Sequence, residues 1–217
     1  MTPASQTALA GLWDLTMIKW YIIPLLAIVF YIYTKEIKEA RRTGNWGAVL
    51  AGLTLFGLDF FNETWNGWVL HFTQRSALWT TPGDTALRTM VGWNIEIMFM
   101  FAVSGIIFYN TLSEDPKKKI LGLPDRWFWA VGYAVFCVFI EVLLNLGGHL
   151  VWEYPFWNRT FGGIWLIFLI GYFHFYVAVI LVLSIKRQAK RILAVSLIYA
   201  VPILMNIFGK AIMHWRY

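Results

Sequence analysis

Six apolar stretches, each long enough to cross a bilayer, leave this chain few folds to choose from. They lie at about 16–34, 48–72, 89–111, 127–152, 162–185 and 191–214. A transmembrane helix needs roughly 20 mostly apolar residues. The chain is 59% hydrophobic and 14% charged, whereas a soluble domain carries roughly 25% charged residues. So few charges do not cover a water-facing surface, and lipid must be the solvent for much of the chain. The expected fold is all-α: an integral membrane bundle of about six transmembrane helices, forming one domain over residues 1–217. Pro24 and Pro202 fall inside the first and last stretches, where kinks are expected.

The links set the orientation. Lys35, Lys38, Arg41 and Arg42 follow the first stretch. Lys117, Lys118, Lys119 and Arg126 follow the third, and Lys186, Arg187, Lys190 and Arg191 follow the fifth. The other two links hold only Arg75, Arg88 and Arg159. Positive residues mark the cytoplasmic side, so both termini are expected on the non-cytoplasmic side. The net charge of +6 is then a topology signal rather than a sign of nucleic-acid binding. Trp13, Trp79, Trp127, Trp152, Trp157 and Trp215 lie near stretch ends, as in an interfacial aromatic belt. The single cysteine, Cys137, excludes an intramolecular disulfide and any paired-cysteine motif. The first residues show no basic region and no small-residue cleavage site, so no cleavable signal is expected. Asn158-Arg159-Thr160 is a formal glycosylation sequon on an outer loop.

Ionisable residues in hydrocarbon cost roughly 2.5–3.5 kcal/mol each on insertion scales. They persist where they pair, face a cavity or carry out chemistry. Asp59 and Glu63 lie one helical turn apart on the second stretch, and Glu96 lies near the outer end of the third. Glu141, Asn145 and His149 follow one another at single-turn spacing on the fourth, and Asn206 and Lys210 do so on the sixth. With the orientation given above, all of these share the middle-to-outer depth, while the inner halves of the same helices carry almost no charge. One polar cavity in the outer half of the bundle is the expectation. Lys210 alone does not neutralise four carboxylates, so some must be protonated or bind something. Burial and crowding of like charges both favour the protonated carboxyl, which is the form a general acid needs. His174 stands alone on the fifth stretch and reads as a packing residue, and His71, Glu153 and His214 read as interfacial. The second and fourth stretches share a Glu-x7-His spacing, Glu63 to His71 and Glu141 to His149, which hints at a parallel internal repeat.

Trp65, Trp68, Trp93, Trp152 and Trp165 occupy the same outer halves. Aromatic faces stabilise cations, and a neutral carboxylic acid can protonate an alkene. Together they point to substrate-binding walls around an acid, completed by Asn206 and Lys210. The segment Asp59-Phe60-Phe61-Asn62-Glu63-Thr64-Trp65-Asn66-Gly67-Trp68 resembles the second-helix motif of the emopamil-binding sterol isomerase family. Trp93-Asn94-Ile95-Glu96 resembles that family's next helix, and the membrane terpene cyclases are similar in placing a Trp-Glu pair and another acid in a small bundle. The likeness covers about 50 residues, with Asp59 in the place of the family's histidine and Gly67-Trp68 displaced from Glu63. It implies a proton-donating acid at Glu63 and a partner acid at Glu96.

The leading expectation is a membrane-embedded enzyme that isomerises, cyclises or hydrates an isoprenoid or sterol-like lipid. Glu63 and Glu96 would be its acid and base, and Asp59, Glu141, Asn145 and His149 would orient or relay protons. Its partners would be that lipid substrate and the surrounding membrane lipids, with no cofactor. A second reading is a metal-dependent membrane enzyme using Glu63, Glu96, Glu141 and His149 with His71 or His214. A third is a proton-relay transporter or a subunit of a membrane complex, against which stands the lack of polar residues in the inner halves. No phosphate-binding loop, dinucleotide fingerprint, nucleophile elbow or zinc-protease motif is present.

Overall fold

Each of the six apolar stretches contains a helix in the computed structural model, which describes residues 1–217. After a short helix α1 (Pro3–Ala10), the long ones are α2 (Ile22–Thr43), α3 (Gly47–Thr73), α4 (Ile95–Thr111) and α5 (Asp125–Leu146). They are followed by α6 (Phe161–Ser184) and α7 (Gln188–Ile212). The last three are long and apolar enough to cross a membrane, and α4 is a shorter apolar helix.

Several boundaries differ from the sequence expectation, for local reasons. The first helix starts at Ile22 rather than near residue 16, because Asp14 accepts from the Thr16 N–H at 2.9 Å and closes a separate turn, Leu15–Met17. Pro24 therefore sits in the first turn, where no intrahelical N–H is required, and is not mid-helix. The third helix starts at Ile95, capped by the Asn94 side chain on the Ile97 N–H at 2.9 Å. Residues just before it form a hairpin of β2 (Arg88–Met90) and β3 (Trp93–Asn94). The fourth ends at Leu146, ahead of Gly148, whose φ of 73° turns the chain away. Val151–Trp152 is then a strand, β6, antiparallel to β1 (Trp79–Thr80). A third small ribbon joins β4 (Lys119–Ile120) to β5 (Leu123–Pro124) between α4 and α5.

Helix α3 is the inner helix. Its apolar and small residues are buried along most of its length, against α4, α6 and α7. The approach to α4 depends on Gly105, where an added Cβ would fall on the Ala51 carbonyl of α3. The main core follows from this contact: Ala51, Leu55, Phe101, Phe108, Ala130 and Ala134 pack with Phe175, Tyr176 and Val179. In contrast, α5, α6 and α7 turn large apolar side chains outward, among them Phe139, Leu143, Ile170, Leu181, Leu197 and Leu204. An exposed apolar surface of that extent needs lipid or a partner to cover it.

The connections α3–α4 and α5–α6 form a cap over one end of these helices. Arg88 is buried in it, donating to the Thr81 and Gly83 carbonyls at 2.7 Å each. Asn66, two turns before the end of α3, accepts from the Leu78 N–H at 2.8 Å and donates to the Trp79 carbonyl at 2.8 Å, which fixes β1 against the helix. Asn145 does the same for the other connection, donating to the Leu150 carbonyl at 3.0 Å.

Candidate functional site: a carboxylate cavity capped by indoles

Beneath the cap, three carboxylic side chains face one cavity from two helices. Asp59 and Glu63 come from α3 and Glu141 from α5, and they are only 4%, 3% and 6% exposed. Each is held by a tryptophan. Trp93 donates its indole N–H to Asp59 Oδ2 at 2.7 Å, Trp79 to Glu63 Oε1 at 2.8 Å, and Trp152 to Glu141 Oε1 at 2.7 Å. All three indoles come from the cap, from β3, β1 and β6, so cap and helices define the site together. The β1–β6 pair sets Trp79 opposite Trp152, so the Glu63 and Glu141 pairs face each other across that ribbon.

One oxygen, Glu63 Oε2, is buried without a hydrogen-bond partner. It lies against Gly92, where an added Cβ would meet Glu63 Oε2 and Asn66 Nδ2 at 2.5 Å and Trp79 Nε1 at 2.6 Å. Trp157 stacks on Trp79 with ring centroids 5.8 Å apart, and its own indole nitrogen is buried and unpartnered. The remaining walls are Phe101, Phe175 and Tyr172, with Asn62 and Cys137. No lysine, arginine or histidine lines the cavity. Its volume is about 70 Å³, several times the roughly 10–15 Å³ that one water requires. It has room for the tip of a hydrocarbon chain but not for a whole sterol. Met100 of α4 and Phe136 of α5 line it and are also exposed, so its mouth lies between those helices on the apolar flank.

Tyr172 reaches the cavity through an irregularity. Residues Ile167–Phe173 of α6 form a π-helical segment, which shifts the side-chain phase just there. Such insertions are frequent at functional sites.

The other expected site residues lie elsewhere. Glu96 does not line the cavity; it accepts from the Tyr21 hydroxyl, from the Thr85 hydroxyl at 2.5 Å and from the Ala86 N–H at 2.8 Å. Its sequence depth matches that of Glu63, but the 84–88 loop and Tyr21 enclose it on another side of α4. Asn206 donates to the Thr64 hydroxyl at 2.7 Å and to the Pro202 carbonyl at 2.8 Å, as a helix-to-helix tie. Lys210 stands 4.8 Å over the Tyr217 ring, away from the acids. His149 is exposed beside Gly83, and Asn145 is engaged with the cap backbone. Trp65 and Trp165 face outward, and Trp68 packs edge-on against Phe72 and Trp215. Trp93 and Trp152 act through their carboxylates rather than as cavity walls. His71 stacks on Trp215 at 4.8 Å and His214 is exposed, so the carboxylate–histidine set weighed for a metal is not assembled.

The sequence expectation places Trp79 and Trp157 in an interfacial belt and does not include Tyr172. The available clue to Trp79 was the repeat. Each of the two glutamate-bearing helices is followed by a short link carrying a tryptophan, and the two links pair.

A mostly helical chain with three helices long and apolar enough to cross a membrane defines a class, that of helical membrane proteins. The family comparison agrees: the chain belongs to a family described as an uncharacterized membrane protein family, whose model it matches over residues 2–211. It is similar to an uncharacterized protein of Archaeoglobus fulgidus, 41% identical over 214 residues, with 99% of each chain covered. No solved structure matches.

Proposed function

We propose that the protein is a membrane-embedded enzyme that moves protons on and off carbon in an isoprenoid-type lipid. The observation that carries this reading is the convergence of Asp59, Glu63 and Glu141 on an apolar cavity with no cation to neutralise them. Isolated carboxylates in such a place are too costly to remain charged together, so the cluster carries protons. Glu63 and Glu141, held by matching indoles, form the acid and base pair, and Asp59 stands one turn from Glu63 on the same helix. Glu141 thus takes the place that the sequence expectation gave to Glu96.

One carboxyl donates its proton to an alkene carbon, and the resulting carbocation lies against the faces of Trp79, Trp157 and Tyr172. A second carboxylate takes a proton from a neighbouring carbon, forming the shifted alkene. Only the reacting end of the lipid enters, through the mouth between Met100 and Phe136. Six helices cross the membrane, with both termini on the non-cytoplasmic side. Three basic clusters support this orientation, in the C-terminal half of α2, around the α4–α5 link and around the α6–α7 link.

The test works on a mixture of lipids, so no single substrate has to be chosen. The protein is incubated in nanodiscs with the total lipid extract of its source cells in D2O, and the lipids are analysed by mass spectrometry. A lipid gaining non-exchangeable deuterium at carbon is expected, with at least a ~100-fold loss in Glu63→Gln and Glu141→Gln, the scale of removing a general acid or base. No deuterium gain in any lipid, or an unchanged gain in both variants, removes the proposal.

A further inference from the structure

Tyr172 differs from the other tyrosines packed between helices. Tyr33 donates its hydroxyl to the Ala102 carbonyl at 2.8 Å, and Tyr199 donates to the Leu53 carbonyl at 2.9 Å. Tyr176 is engaged with Cys137 Sγ at 3.4 Å and Tyr133 with Thr111 at 2.7 Å. These hydroxyls are tied down and read as helix glue. The Tyr172 hydroxyl is tied to no backbone, hydroxyl or thiol; its one polar neighbour is the Glu141 carboxyl inside the cavity. Its ring is fixed by stacking on Phe101 at 6.3 Å and by an edge contact with Phe175. The π-helical segment brings it to the cavity wall beside Glu141.

A phenol is a neutral hydrogen-bond donor that stays protonated at ordinary pH. Beside a carboxyl it makes a two-point holder for one oxygen: the phenol donates to it, and the carboxyl accepts from it if it bears hydrogen. Elsewhere in the lining, Glu63 Oε2 is buried and unpartnered, and so is the indole nitrogen of Trp157, which packs beside Gly171. A buried polar group without a partner costs about 1–3 kcal/mol, so the cavity as built lacks polar atoms that a ligand can bring. The absence of any lining lysine, arginine or histidine sets the charge of that ligand. A phosphate or carboxylate head would meet three acids and no cation.

We propose that the cavity recognises the oxygen-bearing end of an uncharged lipid, a hydroxyl before all, with Tyr172 as the residue that selects it, and that it excludes anionic head groups. The proposal rests on the reading of the cavity as a lipid site, and it narrows the substrate class to neutral lipid alcohols.

Binding of radiolabelled farnesol, farnesyl phosphate and farnesene to protein nanodiscs, corrected with empty nanodiscs, tests it. These probes share one chain and differ only at its end. The unaltered protein should hold farnesol at least ~10-fold more tightly than farnesyl phosphate, and about three- to tenfold more tightly than farnesene, the worth of one or two net hydrogen bonds. Tyr172→Phe keeps the ring contacts and should lose the preference for farnesol over farnesene, while farnesyl phosphate remains excluded. Equal or tighter binding of farnesyl phosphate overturns the proposal in the unaltered protein, without any variant having to fold. So does a Tyr172→Phe variant that keeps the preference for the alcohol. Failure here is distinct from failure of the enzyme reading: farnesol selectivity without deuterium uptake sustains this inference and removes the other, and deuterium uptake without that selectivity does the reverse.

Discussion

Glu63 and Glu96 illustrate how much the partners of a carboxylate decide. Both are acids beside an asparagine on neighbouring helices, yet Glu63 has a bare oxygen over a cavity and Glu96 has donors on both oxygens. Glu96 is therefore a fastener for the 84–88 loop. In Glu96→Gln the amide oxygen keeps Tyr21 and Ala86 and the N–H2 turns to the Thr85 hydroxyl, so charge-assisted bonds become neutral ones, which should cost about 1 kcal/mol in stability. Thermal or denaturant unfolding would register that loss, while deuterium uptake per folded molecule stays within about twofold of the parent, well short of a missing acid or base. Glu63→Gln should give the opposite pattern. Gly92→Ala is a further check at this scale. Its methyl would press on Glu63 Oε2, Asn66 and Trp79 at once, so a loss of about 1–3 kcal/mol is expected from overpacking. A stability equal to the parent's would show that the cap does not sit tightly on the acids.

Among the elements, the cap strands determine the site as much as the helices do. Asn66 ties α3 to β1, and β1 carries the indole that holds Glu63. Asn66→Ala should loosen β1 and cost about 1–3 kcal/mol, since it strands the Leu78 N–H and the Trp79 carbonyl. Hydrogen exchange should then rise at residues 78–80 and 151–152 together, because β1 and β6 pair. A rise confined to β1 would contradict the coupling of the two acid–indole units. Glu63 and Glu141, the positions that hint at a repeat, each accept from a cap indole, whereas the two histidines have unlike surroundings. His71 is stacked on Trp215, and His149 stands exposed beside Gly83.

For the molecule as a whole, the proposed orientation makes a prediction about reagent access. Single cysteines placed in a Cys137→Ser background at Lys38, Lys118 and Lys190 should resist a membrane-impermeant maleimide in intact cells and react after permeabilisation. A cysteine at Asp84 or Arg159 should react in both. The reverse pattern would invert the bundle, and labelling of all five positions in intact cells would contradict a spanning arrangement. Asp84 also pairs with Lys19, whose hydrogen bond, aided by its charge, holds the carboxyl below the usual carboxylate range. That contribution is present above the ordinary aspartate pKa and is lost as pH falls through the lowered value.

The helices, their approximate number and the candidate acids were all legible in the order of residues. Helix formation follows from runs of apolar residues, and acids within such runs stand out because lipid penalises them. The same order places Asp59, Glu63 and Glu141 at one depth, since depth is only distance along a helix. Which of the acids meet is a matter of tertiary packing. Helical rotation and the path of the cap separate Glu96 from the cavity and bring Trp79, Trp157 and Tyr172 to it. Trp79 lies sixteen residues beyond the acid it holds and reaches it only because Asn66 and the β1–β6 pairing fold the link back. Tyr172 depends on a π-helical phase shift that no regular periodicity encodes. Depth is a one-dimensional quantity that a sequence carries, whereas facing is set by packing between distant segments.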